Sequence, residues 1–149
     1  MSFSNFLKTF NEFLLDQCGT TYAAFDHLLK GEKKPLRSVF FAPYQSTTNF
    51  LHRASHVIAA PISLSIIALE LASTSLYLSL KSLSSLVYSD KKAAKIHIID
   101  SVIHFAFSLI AAIGIIVSPF VNCIDLVGSG ISTVRRKNEA EEQMRPSVL

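Results

Sequence analysis

The first residues of the chain place large apolar side chains at a helical spacing. They recur at intervals of three and four residues, at Phe3, Phe6, Leu7, Phe10, Phe13 and Leu14. Ser4, Lys8 and Glu12 fall on the opposite side, so the pattern predicts an amphipathic helix. Such a helix either lies in the interface of a bilayer or covers other helices of the same chain, and the sequence leaves both arrangements open.

A second short helix is predicted to begin at Thr20 or Thr21, because either residue can cap its N-terminus. Gly31 and Pro35 mark its end. The following residues, up to Thr48, are rich in proline, serine and aromatic side chains, and we interpret them as a connector resting at a membrane surface. Residues 1–48 are therefore expected to form an amphipathic, interface-associated N-terminal region.

Two long apolar segments come next, from about Asn49 to Ser89 and from about Lys91 to Val134. A turn is predicted near residues 89–92, since Ser89 or Asp90 can accept the free backbone N–H groups that begin the second segment. The expected fold class is all-α. A two-helix hairpin over residues 49–134 carries the amphipathic helices before it and a short polar tail over residues 135–149 after it.

The distribution of charge favours a transmembrane hairpin. The second segment holds 24 uncharged residues from Ser101 to Ile124, about 36 Å as a helix, against a hydrocarbon core of about 30 Å. In the first segment only Glu70 interrupts residues 54–80, at a cost on the order of 2.5 kcal/mol near the bilayer centre. A soluble bundle is disfavoured because the apolar side chains of the second segment cover roughly 200°, about twice the usual buried stripe.

Both segments carry a line of polar residues. In the first segment the line repeats every seven residues, at Asn49, His56, Ser63, Glu70, Tyr77 and Ser84. In the second it comprises His97, Ser101, His104, Ser108, Ala111, Ser118, Asn122 and Asp125. If the chain folds back at Asp90 and Lys91, the two residue numbers of each facing pair add up to about 181. The predicted pairs are His56 with Asp125, Ser63 with Ser118, Glu70 with Ala111, Tyr77 with His104, and Ser84 with His97. Polar residues thus face each other inside the hairpin, as helices in hydrocarbon prefer.

A competing surface lies on the other side of the first segment. Its small residues are Ser65, Ala68, Ala72, Ser75, Ser79 and Ser82, and they permit close approach of a neighbouring backbone. Because two faces need two partners, we expect this stripe to receive a second copy of the chain in a homo-oligomer.

Composition excludes several classes of protein. Half of the residues are hydrophobic and 17% are charged, against roughly 25% in an ordinary soluble domain, which argues against disorder. The chain has only two cysteines, which argues against a disulfide scaffold. Their spacing is not that of metal ligands. The net charge of +3 comes from short basic runs that flank the apolar segments, which suits lipid headgroups and not a nucleic acid.

Few residues suggest chemistry. Glu70 is a functional hypothesis because it is an acid at membrane depth, and its simpler interpretation is a hydrogen bond that fixes the register. His52 and His56 lie four residues apart and could bind a metal together with an acid such as Asp125. A role as solvated or capping histidines at a membrane interface fits the sequence better. No nucleophile, base and orienting acid occur in a recognisable arrangement, and there is no glycine-rich phosphate loop. We expect no enzyme, no cofactor and no metal.

The apolar hairpin from Ala54 to Ile124, the phenylalanine-rich start and the cluster Glu139-Ala140-Glu141-Glu142 resemble small membrane effectors of the Dot/Icm type IV secretion system of Legionella and its relatives. In that group a glutamate-rich patch near the C-terminus is associated with translocation, so the resemblance implies a secretion signal at Glu139, Glu141 and Glu142. The two-lobed apolar region is also similar to the inclusion membrane proteins of Chlamydia, although the loop from Lys81 to Asp100 is long for them.

The resemblance implies a bacterial protein that anchors in a host-cell membrane and contacts lipid or an unidentified host protein. The residues by themselves leave two alternatives open. One is an oligomeric pore or transporter subunit in which Glu70 and the histidines line a wet path. The other is a soluble helical interaction module.

Overall fold

The computed structural model describes residues 3–31 and 40–144, and every regular element in these two ranges is a helix. The four helices are α1 (Phe3–Asp16), α2 (Thr20–Lys30), α3 (Thr47–Val87) and α4 (Lys91–Met144). Helices α3 and α4 form an antiparallel hairpin, and α1 and α2 pack against it. The prediction of an all-helical fold with two apolar helices long enough to cross a membrane is confirmed.

Side-chain caps set the ends of the hairpin helices. The Ser46 hydroxyl accepts the Asn49 N–H at 3.1 Å and begins α3. At the turn, Ser89 adopts a left-handed backbone with φ 62°, and the Asp90 carboxylate accepts the Ala93 N–H at 3.0 Å. Asp90 is therefore the cap of α4, and so tight a turn between the helices returns the chain antiparallel.

Helix α4 is longer than the sequence pattern suggested. It continues through the residues expected to form a polar tail and ends at Met144. Ion pairing between Arg135 and Glu139, with Nε and Oε1 2.8 Å apart, supports this extension because the two residues are four apart on the helix. The rest of the predicted tail, residues 145–149, and the predicted connector up to residue 39 lie outside the described ranges.

Small side chains fill the interface between α3 and α4. The buried alanines and serines are Ala60, Ser63, Ser75 and Ser82 on α3 and Ala94, Ser101, Ser108, Ala111 and Ser118 on α4. The Ser75 hydroxyl donates to the Ser101 carbonyl at 2.9 Å, and the Ser101 hydroxyl donates back to the Ser75 carbonyl at 2.8 Å. These reciprocal bonds require closely approaching backbones, which only small residues allow.

The register differs from the predicted one by about one helical turn. The two residue numbers of a facing pair add up to 176 for Ser82 with Ala94 and also for Ser75 with Ser101. Near the other end, Arg53 faces Asp125, which gives 178. The predicted value was about 181, so the proposed pairing of Tyr77 with His104 and of Ser84 with His97 is replaced by a shifted set.

The predicted polar line of α3 departs from the interface toward Tyr77 because it assumed a repeat of exactly seven, whereas most of the predicted line of α4 is buried. On α3 the observed contact line runs from Arg53 to Ser82, which is 29 residues or about eight turns of a straight helix at 3.6 residues per turn. A line that repeats every seven residues drifts around such a helix by about 20° per repeat. The predicted and observed lines therefore coincide near His56 and separate toward Tyr77.

The stripe of small residues that we assigned to a second copy instead faces α4 over much of its length. Ser75 and Ser79 both contact the Ser101 hydroxyl, at 3.0 and 2.7 Å, and the Ala68 carbonyl accepts the Ser108 hydroxyl at 2.9 Å. Ser65 bonds within its own helix to the Pro61 carbonyl, and Ala72 is half-buried. The stripe does permit a neighbouring helix to approach closely, as predicted, but that helix is α4 of the same chain.

Disulfide formation between introduced cysteines distinguishes the two registers. In a background with Cys18→Ala and Cys123→Ala, we expect Ser75→Cys with Ser101→Cys to cross-link on mild oxidation, because the two native hydroxyls lie 3.0 Å apart. The matched pair Tyr77→Cys with His104→Cys, which the sevenfold repeat would bring together, should stay reduced. Electrophoresis after proteolysis in the turn measures both, and the reverse result would refute the observed register.

Candidate functional site

A buried carboxylate organises the end of the hairpin that lies away from the turn. Asp125 is 2% exposed, and its Oδ2 accepts the Thr20 hydroxyl at 2.8 Å. Its Oδ1 accepts the Phe41 backbone N–H, also at 2.8 Å. Arg53 Nη1 lies 3.4 Å from Oδ2. One side chain of α4 thus holds α2, the segment after residue 40, and α3 in place.

Arg53 is the positive partner of this cluster. Its Nη1 donates to the Ser129 hydroxyl at 2.8 Å and to the Ala42 carbonyl at 3.2 Å, in addition to its contact with Asp125. The guanidinium carbon lies 5.7 Å from the centre of the Tyr44 ring, within range of a cation–π interaction. Removing one charge of such a buried pair leaves the other uncompensated, at a cost of about 3–5 kcal/mol.

The segment of residues 40–45 is tied across α4. The Tyr44 N–H donates to the Thr133 hydroxyl at 2.7 Å, and the Tyr44 hydroxyl donates to the Leu126 carbonyl. Burial raises the pKa of Tyr44, an effect that the Arg53 charge opposes and the Asp125 charge reinforces. Tyr44 is therefore protonated at neutral pH and serves as a hydrogen-bond donor.

Two glycines permit the closest approaches around the cluster. A Cβ atom at Gly128 of α4 would overlap the ring of Phe41, which itself has a left-handed backbone with φ 66°. A Cβ atom at Gly19, between α1 and α2, would overlap the His56 ring, and Gly19 has a φ of +56° that favours glycine. Both positions therefore require glycine for contact between the N-terminal region and the hairpin.

A second polar group lies beside the first, where α1 meets α2. The Asn122 side-chain amide approaches the carbonyls of His56 and Cys18 at 3.4 and 3.5 Å. The Cys18 thiol donates to the Leu14 carbonyl at 3.3 Å, and burial raises its pKa to about 11, so the thiol stays protonated. Cys18 therefore has a structural role, because the reactive form of cysteine is the deprotonated thiolate.

Glu70 meets a residue that the predicted register did not include. Its Oε1 accepts the Asn11 side-chain N–H of α1 at 3.2 Å, and the side chain is half-buried. The register predicted Ala111 opposite Glu70, whereas α1 supplies the partner observed. Helix α1 therefore covers α3, one of the two positions that the amphipathic pattern allowed.

The remaining predicted residues divide between the interface and the outer surface. His56, Ser63, Ser118 and Asp125 are buried, whereas Tyr77 is 62% exposed. His97 and His104 are half-buried, and His104 Nδ1 pairs with the Asp100 carbonyl of its own helix at 2.7 Å. The rings of His52 and His56 pack edge to face with centroids 4.5 Å apart. Within residues 3–31 and 40–144 no group of three metal-ligating side chains comes together.

Sequence reasoning missed most of the partners of Asp125. Thr20 was expected only as the cap of a short helix, and Phe41 lies in a segment without hydrophobic periodicity, so no pattern placed either residue near Asp125. Arg53 did leave a signal, since it directly precedes the apolar stretch of α3 and Asp125 directly follows that of α4. Opposite charges at these matched ends of two antiparallel helices predict an ion pair.

Comparison of the whole chain with protein-family models, with curated proteins and with solved structures finds no match. Functional inference for this chain therefore rests on the geometry of its own residues.

Alanine at two neighbouring glycines of α4 tests the clamp on residues 40–45. We expect Gly128→Ala to displace Phe41 and break its N–H bond to Asp125, which faster amide hydrogen exchange at Phe41 would report. Gly130→Ala is the matched control, because its nearest neighbour would be Tyr44 Cε2 at 3.9 Å. The control should stabilise α4 by up to about 1 kcal/mol through helix propensity. Equal exchange at Phe41 in both variants would contradict the clamp.

Proposed function

We propose that this protein is an integral membrane protein whose α3–α4 hairpin anchors in a bilayer and which acts through contacts with protein or lipid, not by catalysis. The observation that carries the proposal is the inverted polarity of the hairpin. Serines and alanines lie between its helices, while large apolar side chains face outward.

The outward face is apolar on both helices. Its most exposed members in the central part of the hairpin are Ile62, Leu69, Leu76, Ile113, Ile116 and Phe120, which are 57–70% exposed. A water-soluble protein rarely displays so long a continuous apolar surface. Lipid solvates these side chains at no cost, and helices in lipid associate through small residues and hydrogen bonds, as α3 and α4 do.

Length and charge support the proposed position of a bilayer around this surface. The observed register sets Ser101–Ile124 of α4 beside about residues 53–76 of α3. Both stretches exceed the roughly 20 residues that span a hydrocarbon core. Arg53 and Asp125 close one end of this zone as a pair, and basic side chains at Lys81 and Lys95 lie beyond the other end. Helical backbone hydrogen bonding continues through the zone except at Pro61 and Pro119, which have no N–H to donate to the carbonyls of Val57 and Ile115.

Introducing acids on the outward face tests membrane insertion. We expect the wild-type chain to remain in the membrane pellet on alkaline carbonate extraction and Ile113→Asp with Ile116→Asp to be released. Two lipid-facing acids cost on the order of 5–7 kcal/mol, whereas the same change on a water-facing surface is nearly neutral. The matched control Asn138→Asp with Gln143→Asp, beyond the apolar zone of α4, should stay in the pellet. Release of the wild type by carbonate would refute the proposal.

The proposal also specifies the membrane in which the protein acts. The chain is a secreted bacterial effector that inserts into a host-cell membrane, and the support is its resemblance to Dot/Icm effectors. Glu139, Glu141 and Glu142 project from the exposed last turns of α4, where a secretion receptor can reach them. Glu139 is paired with Arg135, while neither Glu141 nor Glu142 contributes to the packing of the hairpin.

Charge removal in this cluster tests the destination. We expect Glu139→Gln with Glu141→Gln and Glu142→Gln to reduce delivery of a reporter fusion into host cells by at least about tenfold, a difference of about 1.4 kcal/mol in recognition. The control Glu12→Gln with Asp26→Asn removes acids at the opposite end of the chain and should be delivered normally. Normal delivery of the triple variant would contradict the secretion signal.

A further inference from the structure

Helix α1 lies beside the apolar zone of α3. Asn11 bonds to Glu70, and Gly19 contacts His56, so α1 runs antiparallel to α3 with its N-terminal end pointing toward the turn of the hairpin. Glu70 follows Arg53 by 17 residues, which is about 26 Å along the helix. The middle of α1 is thus level with the part of the hairpin that the proposed function immerses in hydrocarbon.

Two charged residues of α1 conflict with this depth. Lys8 and Glu12 form an ion pair with Nζ and Oε1 4.0 Å apart, and their side chains are 78% and 65% exposed. They flank Asn11 in the chain, so a bilayer around the hairpin would surround both with acyl chains. Charged side chains at membrane depth are costly unless they face the protein interior or a water-filled cavity, and these two face outward.

Several contacts attach α1 to the rest of the chain. At its C-terminal end, Leu14 and Cys18 are buried, and the following Thr20 is bonded to Asp125. Farther out, the described side-chain hydrogen bond from α1 to α3 is that of Asn11, and Phe13 remains 56% exposed on the apolar side. Gly19, with its left-handed backbone, joins α1 to α2.

From these observations, and resting on the proposed membrane hairpin, we propose that α1 has two positions: docked on Glu70 when α3 is outside hydrocarbon, and lying in the bilayer interface when the hairpin is inserted. Rotation at residues 17–19 moves the whole of α1 out of the apolar zone and withdraws Leu14 from its buried position. The apolar side of α1 then meets the interface, its Lys8 and Glu12 return to water, and Glu70 loses Asn11. The partner of the released α1 surface is the lipid headgroup region.

Spin-label distances in vesicles of phosphatidylcholine and phosphatidylglycerol test this movement. Labels at Thr9→Cys and Tyr77→Cys, in a background with Cys18→Ala and Cys123→Ala, lie roughly 15 Å apart if α1 is docked. Undocking moves the first label toward the level of Arg53, about 36 Å from Tyr77 along α3. For the otherwise unmodified chain we therefore expect a distance above about 30 Å.

Neutralising the charges of α1 should reverse the result. Lys8→Leu with Glu12→Leu removes the conflict with hydrocarbon, so the distance in the same vesicles should return to roughly 15 Å, an estimate from the axial spacing of helices. Asp26→Leu with Lys30→Leu is the matched control, because it removes an equivalent ion pair of α2 and should leave the distance long.

The outcomes separate this inference from the proposed function. A short distance in the unmodified, carbonate-resistant protein would refute the movement of α1 and leave the membrane anchor intact. A long distance in the Lys8→Leu, Glu12→Leu variant would refute charge as its cause and overturn the inference. Release of the labelled protein by carbonate would instead overturn the membrane anchor on which the inference rests.

Discussion

The close approach of α3 and α4 is the constraint on which the rest of the structure depends. Ser75 and Ser101 exchange hydrogen bonds with each other's backbone, and Ser82 and Ser108 bond to carbonyls of the opposite helix. A larger side chain at these positions would separate the helices and break the bonds. Because small residues occupy the interface, the large apolar residues of both helices face outward, and the apolar outer surface of the hairpin follows from its packing.

The Arg53–Asp125 cluster makes one end of the hairpin different from the turn end. At the turn, a short loop and the Asp90 cap suffice to connect the helices. At the other end, one buried carboxylate accepts bonds from α2 and from Phe41 while facing the Arg53 guanidinium. This concentration of polar groups can exist only where protein surrounds it. The N-terminal region therefore shields an ion pair at the edge of the apolar zone, and it is held there by the pair that it shields.

The sequence predicted the elements better than their contacts. Helices, turn and apolar zones follow from local periodicity and from caps such as Asp90, which depend on neighbouring residues alone. The register depends on the difference between 3.5 and 3.6 residues per turn, which accumulates along α3 until Tyr77 lies outside the interface. The partners of Asp125 depend on segments without periodicity, so only the matched positions of Arg53 and Asp125 carried information about the cluster.

The position of Glu70 links the packing to the surroundings of the molecule. A carboxylate on the interface line of α3 would have to be satisfied by α4, but the observed register leaves Glu70 beside that line, where α1 supplies Asn11. The same bond keeps α1 beside the apolar zone, with Lys8 and Glu12 exposed on its outer side. Whichever medium surrounds the hairpin, one set of side chains is therefore poorly placed: the outward apolar face in water, or the charges of α1 in lipid. The proposed movement of α1 relative to α3 resolves this conflict, because it returns the charges of α1 to water while the apolar face of the hairpin stays in lipid.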